Sequence, residues 1–161
     1  MLQKTLNDSL VLIKRPLFPS RFKASSKRYS VTLGVGGNIG DLIRRLERLS
    51  NYLKKSKLCD LVQTGPILKN PPFGYLNQDD FHNSVMLVKT NLQAKAFLKY
   101  VLEVERKFGR KRSFANAPRT LDIDMIFYED TIMNTKTLVL PHPHRQERDS
   151  VVIPMAYMER R

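Results

Sequence analysis

Polar and apolar residues change period along the chain, and each change marks an element. The stretch "YSVTLGVGG", residues 29–37, reads as a β-branched strand ending in glycines. In "DLIRRLERLSNYL" the period becomes helical, with Leu42, Leu46, Leu49 and Leu53 on one stripe. Two further strands follow in "KLCDLVQTGPIL" and "FHNSVMLVKT". Between them lies "KNPPFGYLNQDD", whose prolines and glycine predict a long irregular loop of the kind that binds something. Asn91 can cap a second helix that runs through Phe108, with Ala94, Leu98, Val101 and Phe108 facing inward and Gly109 as its stop. The last strand is "LDIDMIF", in which Leu121, Ile123, Met125 and Phe127 alternate on one face. The order β, α, β, β, α, β predicts a ferredoxin-like α+β sandwich, an antiparallel sheet with the helices packed on it. The tail from Leu138 to Arg161 reads as loop-rich, with a short helix near its end.

Composition narrows the setting. The chain has 161 residues, 42% of them hydrophobic, and no apolar run approaches membrane-spanning length. Cys59 is the only cysteine, so no internal disulfide forms, and a cytoplasmic location is expected. The formal net charge of +13 favours an anionic partner without choosing among nucleic acid, acidic membrane and phosphorylated small molecule. Residues 1–29 are basic, with prolines, serines and no secretory core. They are expected to be an N-terminal extension packed along a single domain spanning 30–161, or frayed from it, rather than the alternative of a basic organelle-targeting peptide.

The strand "DIDMI" poses a chemical problem. Asp122 and Asp124 project the same way about 7 Å apart, and two like charges in a half-buried sheet need neutralising. They could be edge-strand charges that discourage pairing, but the arginines before them supply the context of an anion site. Two such carboxylates can bridge a pair of Mg²⁺ ions about 3.5 to 4 Å apart, as in phosphoryl chemistry. "ERKFGRKR" and "PR" place Arg106, Lys107, Arg110, Lys111, Arg112 and Arg119 just before that strand, and the arginine fork suits polyphosphate. Glu105 falls on the apolar stripe of the second helix, so its carboxylate should order an arginine or meet a ligand. "GVGGNIGD" lacks the third glycine of a dinucleotide fingerprint, since position 39 is Ile39. It is either a tight turn or a ligand-facing one. The histidines are His82, His142 and His144, too few for a zinc site, whereas His142 with Arg148 can contact phosphate.

In this order the pieces resemble the 6-hydroxymethyl-7,8-dihydropterin pyrophosphokinase family of folate biosynthesis. "GGNIGD", "NPPFG", "FHN", Glu105 with "GRKR", "PRTLDIDMI" and "LPHP" followed by Arg148 span about Ser30 to Pro154. The resemblance implies transfer of an intact pyrophosphoryl group from ATP to the pterin hydroxymethyl, with release of AMP. It implies two Mg²⁺ on Asp122 and Asp124, with Asp122 also touching the pterin. ATP is expected at Glu105, Arg110, Arg112, Arg119, His142 and Arg148, with Arg110, Arg119 and the two aspartates catalytic. The pterin is expected at Gly36, Asn70, Pro71, Pro72, Phe73, Gly74, Phe81, Asn83 and Asp122. Partners are then the two small-molecule substrates, without nucleic acid or membrane, and the enzyme is expected to be a monomer.

Several positions depart from the family pattern. Ala115 and Asn116 stand where basic and tryptophan residues occur, Ser150 where an aromatic often stacks, Pro143 where tyrosine is common, and Gly37 and Asn70 replace the usual Ser and Thr. A differently built lid is expected, and a C-terminal segment of longer members is not. Two rivals remain on sequence grounds. In polymerase-β-type nucleotidyltransferases the glycine turn and Asp-x-Asp strand lie close together, whereas Gly37 and Asp122 here are 85 positions apart. A basic RNA-binding α+β module gives Asp122 and Asp124 no role, because carboxylates repel phosphates without metal.

Overall fold

Asp41 starts the first helix: in the computed structural model, which describes residues 2–159, its carboxylate accepts the Arg44 N–H at 3.1 Å. Helix α1 (Leu42–Lys55) buries Leu42, Leu46, Leu49 and Leu53, the stripe its spacing predicts. Helix α2 runs Ala94–Lys107 and buries Phe97, Tyr100, Val101 and Val104. Its N-cap is Gln93, without a side-chain cap bond, because the Asn91 carboxamide is taken by the Arg28 N–H at 2.9 Å. Ala94 and Val101 of the expected stripe are buried, but Leu98 is only partly buried and faces a cleft, with Phe97 buried beside it instead.

The sheet is antiparallel. Strand β4 (Tyr29–Gly37) lies between β7 (Phe81–Thr90) and β8 (Asp122–Tyr128). The expected strand at "KLCDLVQTGPIL" is two, β5 (Cys59–Thr64) and β6 (Ile67–Asn70), which pair with β7 one after the other. Gly65 and Pro66 separate them; proline has no N–H for a ladder. At Gly65 a Cβ would lie 2.9 Å from the Pro154 carbonyl oxygen of α3 (Asp149–Glu159), so the break also lets that helix approach. With β8, β4, β7 and then β5/β6 side by side, the βαββαβ core has the expected ferredoxin-like arrangement. The tail carries α3, longer than the short helix expected, and a small hairpin of β9 (Met133–Asn134) and β10 (Val139–Leu140).

The basic N-terminal segment contributes β1 (Leu2–Thr5), β2 (Val11–Lys14) and β3 (Ser20–Arg21) to the same sheet. β2 pairs with β6 and β3 with β5. Leu12, Ile13 and Phe18 are at most 2% exposed. Met1 and residues 160–161, at the outer ends of the two expected segments, lie outside the described residues.

One sheet face meets the helices: Val31, Leu33, Val35, Met86, Val88, Ile123 and Met125 pack with Leu46, Leu49, Phe97 and Val101. Truncating one of the fully buried leucines to alanine would cost about 2–5 kcal/mol. The opposite face is only partly covered, by α3 lying on β6 and β7. The aspartates of β8 project there.

Candidate active site

Register builds the floor of the site. Gly36 stands opposite Asp122 on β8 and Asn83 on β7, and Gly34 opposite Asp124 and Val85. Directly opposed residues share a face, so two cross-strand rows form, each with glycine in the middle. The result is a trough beside the carboxylates. At Gly36 a Cβ would collide with the Asn83 carboxamide oxygen and lie 2.6 Å from the His82 carbonyl oxygen, so no larger residue fits. Both readings of this glycine cluster hold in part: Gly34 and Gly36 line the cavity, while a Cβ at Gly37 would lie 2.7 Å from the Thr120 carbonyl oxygen, the close approach of a tight turn.

The two carboxylates differ. Asp122 takes Arg110 at 3.4 Å and Arg119 at 3.2 Å. Asp124 is half-buried, and its side-chain carboxylate receives no hydrogen bond from any described residue. Burial, then repulsion from Asp122, pushes its carboxyl up to about 7, against a smaller opposing pull from Arg148. Among the described residues, no group of three or more His, Cys, Asp and Glu converges as a metal cluster. A bare carboxylate pair suits a hard cation that keeps waters and shares phosphate oxygens better than one needing a full protein cage.

Glu105 ties α2 to this strand. It is 1% exposed, and its Oε2 accepts the Ile123 N–H, between the two aspartates, at 2.7 Å. Its Oε1 accepts from Arg112 at 3.0 Å, so of its two expected roles it has the ordering of an arginine. Burial raises its pKa from the ordinary glutamate value, against the opposing hydrogen bond from the Ile123 N–H. Arg110 also donates to the Leu121 carbonyl at 3.4 Å, while its buried Nε has no partner. Arg119 lies 5.4 Å over the Phe81 ring and Arg148 5.3 Å over Phe73. His142 is lashed to β8 by its N–H on the Ile126 carbonyl at 2.9 Å. Its Nδ1 accepts the His144 N–H at 3.1 Å, which leaves Nε2 as the protonated nitrogen of the neutral ring, a donor. Burial and then Arg148 hold its pKa below that of an ordinary histidine.

Gly36, Phe73, Phe81, Asn83, Asp122 and Asp124 line one cavity, together with His142 and Arg148. Asn70 stands behind it, accepting from the Asn83 amide at 2.7 Å. Pro71, Pro72 and Gly74 are outside its lining; Gly74 packs on Asn116 instead. A contiguous bowl holds Arg110, Arg112, Arg119, His142 and Arg148. Beyond Asp122, Asp124 and His142, the groove continues into an apolar cleft of Leu98, Leu102, Leu138 and Val139. Sequence reasoning missed that cleft, because half-buried leucines on a helix and a buried one in a tail read as core or loop. It also missed Asn38, 5% exposed, whose side chain joins the Arg119 N–H to the 71–80 loop. A polar residue directly after an apolar strand was the available signal.

Comparison with known proteins bears on this groove. The profile of the 7,8-dihydro-6-hydroxymethylpterin-pyrophosphokinase family matches residues 32–160. The 2-amino-4-hydroxy-6-hydroxymethyldihydropteridine pyrophosphokinase of Helicobacter pylori is 42% identical over 147 residues, covering 88% of this chain and 89% of that protein. The protein of the same name from Campylobacter jejuni is 39% identical, covering 87% and 88%. That from Aquifex aeolicus is 34% identical, covering 81% and 80%.

Proposed function

The chain belongs to the 7,8-dihydro-6-hydroxymethylpterin pyrophosphokinase family, and from that premise we propose how its groove carries out the family's reaction. The enzyme transfers pyrophosphate from ATP to 6-hydroxymethyl-7,8-dihydropterin in folate biosynthesis, giving AMP and the pterin diphosphate. The reading of a basic RNA-binding module without catalysis has no support in the family match.

The pterin lies in the cavity over Gly36, between Phe73 and Phe81, with its edge on the Asn83 carboxamide. The glycine rows bring its hydroxymethyl oxygen beside Asp122. Adenine occupies the cleft of Leu98, Leu102, Leu138 and Val139, so that the triphosphate crosses β8 beneath Arg110, Arg112, Arg119 and His142. Two Mg²⁺ ions, held by Asp122 and Asp124 together with ATP oxygens, would supply charge neutralisation across the phosphates when bound. The hydroxymethyl oxygen attacks the β-phosphorus in line and AMP leaves. What the chain contributes is position and charge. Arg119 and Arg110 release Asp122 to grip phosphate oxygens, and the Nε2–H of His142 donates to one of them. Glu105, through Ile123, keeps the two aspartates in register.

The observation that supports this most directly is Asp124, a half-buried carboxylate left without a hydrogen bond next to a second carboxylate. Repulsion within such a pair favours a cation or a proton between its members. We place the enzyme as a cytoplasmic monomer whose residues 1–29 fold with the catalytic domain, without nucleic-acid or membrane partners. No helix among the described residues is long and apolar enough to cross a membrane. The test is product analysis with ATP, Mg²⁺ and the pterin. Pterin-dependent AMP is expected, whereas ADP, or AMP formed equally without pterin, would overturn pyrophosphoryl transfer.

A further inference from the structure

Between Tyr75 and Asp80 every residue is exposed except Gln78, which is half-buried. Its carboxamide is fully engaged. The Oε1 accepts from the Asn38 side chain at 2.9 Å, and the Nε2 donates to the Tyr75 carbonyl at 2.6 Å and to the Asn116 carbonyl at 2.9 Å. Asn38 completes the link at the rigid end of β4: it donates to the Asp79 carbonyl at 2.9 Å and accepts the Arg119 N–H at 2.9 Å. A ring contact and a close backbone approach run alongside. Tyr75 meets Phe114 edge-on, with ring centroids 5.3 Å apart, and a Cβ at Gly74 would fall 2.5 Å from the Asn116 amide nitrogen.

These bonds join two segments that the sequence keeps apart: the loop before β7, which carries Phe73, and the loop before β8, which carries Asn116 and Arg119. Phe73, Asn116 and Arg119 line the same cavity. We infer that Gln78 is a positioning residue, whose carboxamide clips the arginine-bearing loop to the pterin-side loop and so holds Phe73 and Arg119 on the cavity together. Gln78 touches no reacting atom. The inference rests on the pyrophosphokinase reading for its substrate and on the hydrogen bonds for its geometry.

A clip of this kind shapes the pterin cavity and leaves the adenine cleft, on the far side of β8, unchanged. Gln78→Ala should therefore raise the KM for the pterin roughly tenfold, from the loss of hydrogen bonds that pre-organise the pocket. Its KM for ATP, set by the adenine cleft, should stay within about twofold of the parent while kcat falls several-fold because Arg119 is no longer held in place, a split that general loosening would not produce. Gln78→Glu has the same size but no donor, and sets a carboxylate against two carbonyls, so it should match the alanine variant. An unchanged pterin KM in either variant, or pterin and ATP KM values rising together, overturns the clip. Hydrogen exchange in the ligand-free protein gives a readout that needs no turnover: residues 109–120 should exchange faster in Gln78→Ala, and identical exchange overturns the inference. Absence of pterin-dependent AMP from the parent protein would instead count against the activity, with the clip then decided by exchange alone.

Discussion

The half of the groove proposed for the pterin and the half proposed for the phosphates are made from different material. Glycines and amides on paired strands form the first: Gly34, Gly36 and Asn83 hold their places by register, and Asn70 backs Asn83 from a neighbouring strand. The second is made of charges carried largely on connecting segments, and these charges are engaged with one another. Arg110 and Arg119 share Asp122, and Arg112 sits on Glu105. A strand-built pocket changes little when its ligand arrives, whereas a bowl of mutually paired ions must exchange partners. Under the proposed function, Arg110 and Arg119 must leave Asp122 before they can grip phosphate.

The comparison breaks most visibly at its hinge. Asp122→Ala or Asp124→Ala should lower kcat by about 10³-fold or more while circular dichroism stays native, because several kcal/mol of charge stabilisation is lost. Near-normal AMP formation by either variant would remove the carboxylates from the chemistry. Arg119→Ala attacks the phosphate half and should reduce kcat by roughly 10²-fold, with pterin affinity by titration much less affected. Gly36→Ala attacks the other half. Its methyl meets Asn83 and the His82 carbonyl, so the pterin KM should rise roughly tenfold with ATP binding preserved. Equal losses for both ligands would mean that the two halves do not respond separately.

The smallest effect concerns pH in metal-free protein. The folded pKa of Asp124, near 7, lies above its ordinary value of 3.8, so folding binds its proton more tightly. The stabilisation is complete below the ordinary carboxylate range and is lost as pH climbs through about 7. Thermal melts should fall over that rise, with a slope on the order of 1.4 kcal/mol per pH unit at most, and Asp124→Asn should flatten it.

Much of this could be read from periodicity. The Leu42–Leu53 stripe and the alternation around Asp122 and Asp124 each state their own geometry, since burial on one face is what spaces apolar residues. Other features depend on partners far away in sequence. Asn91 has the chemistry of a helix cap but is drawn to Arg28, and nothing local to Asn91 encodes that choice. Leu98 carries an inward-facing pattern yet lines a cleft, because a stripe's edge is set by what packs against it. The strands at residues 2–21 escaped because each is four residues or fewer, too short for period-two alternation to stand out among prolines and serines.

Those three strands carry a practical lesson about where to cut the gene. The family match opens at residue 32, an inviting place to begin a trimmed protein. Trimming there would strip β2 from β6 and uncover apolar surface that Leu12, Ile13 and Phe18 now fill. The new edge would be a naked row of amides and carbonyls beside a greasy trench, the recipe for clumping rather than for a smaller working enzyme. For this chain the boundary drawn by kinship and the boundary at which the core closes, near Leu10, are about twenty residues apart.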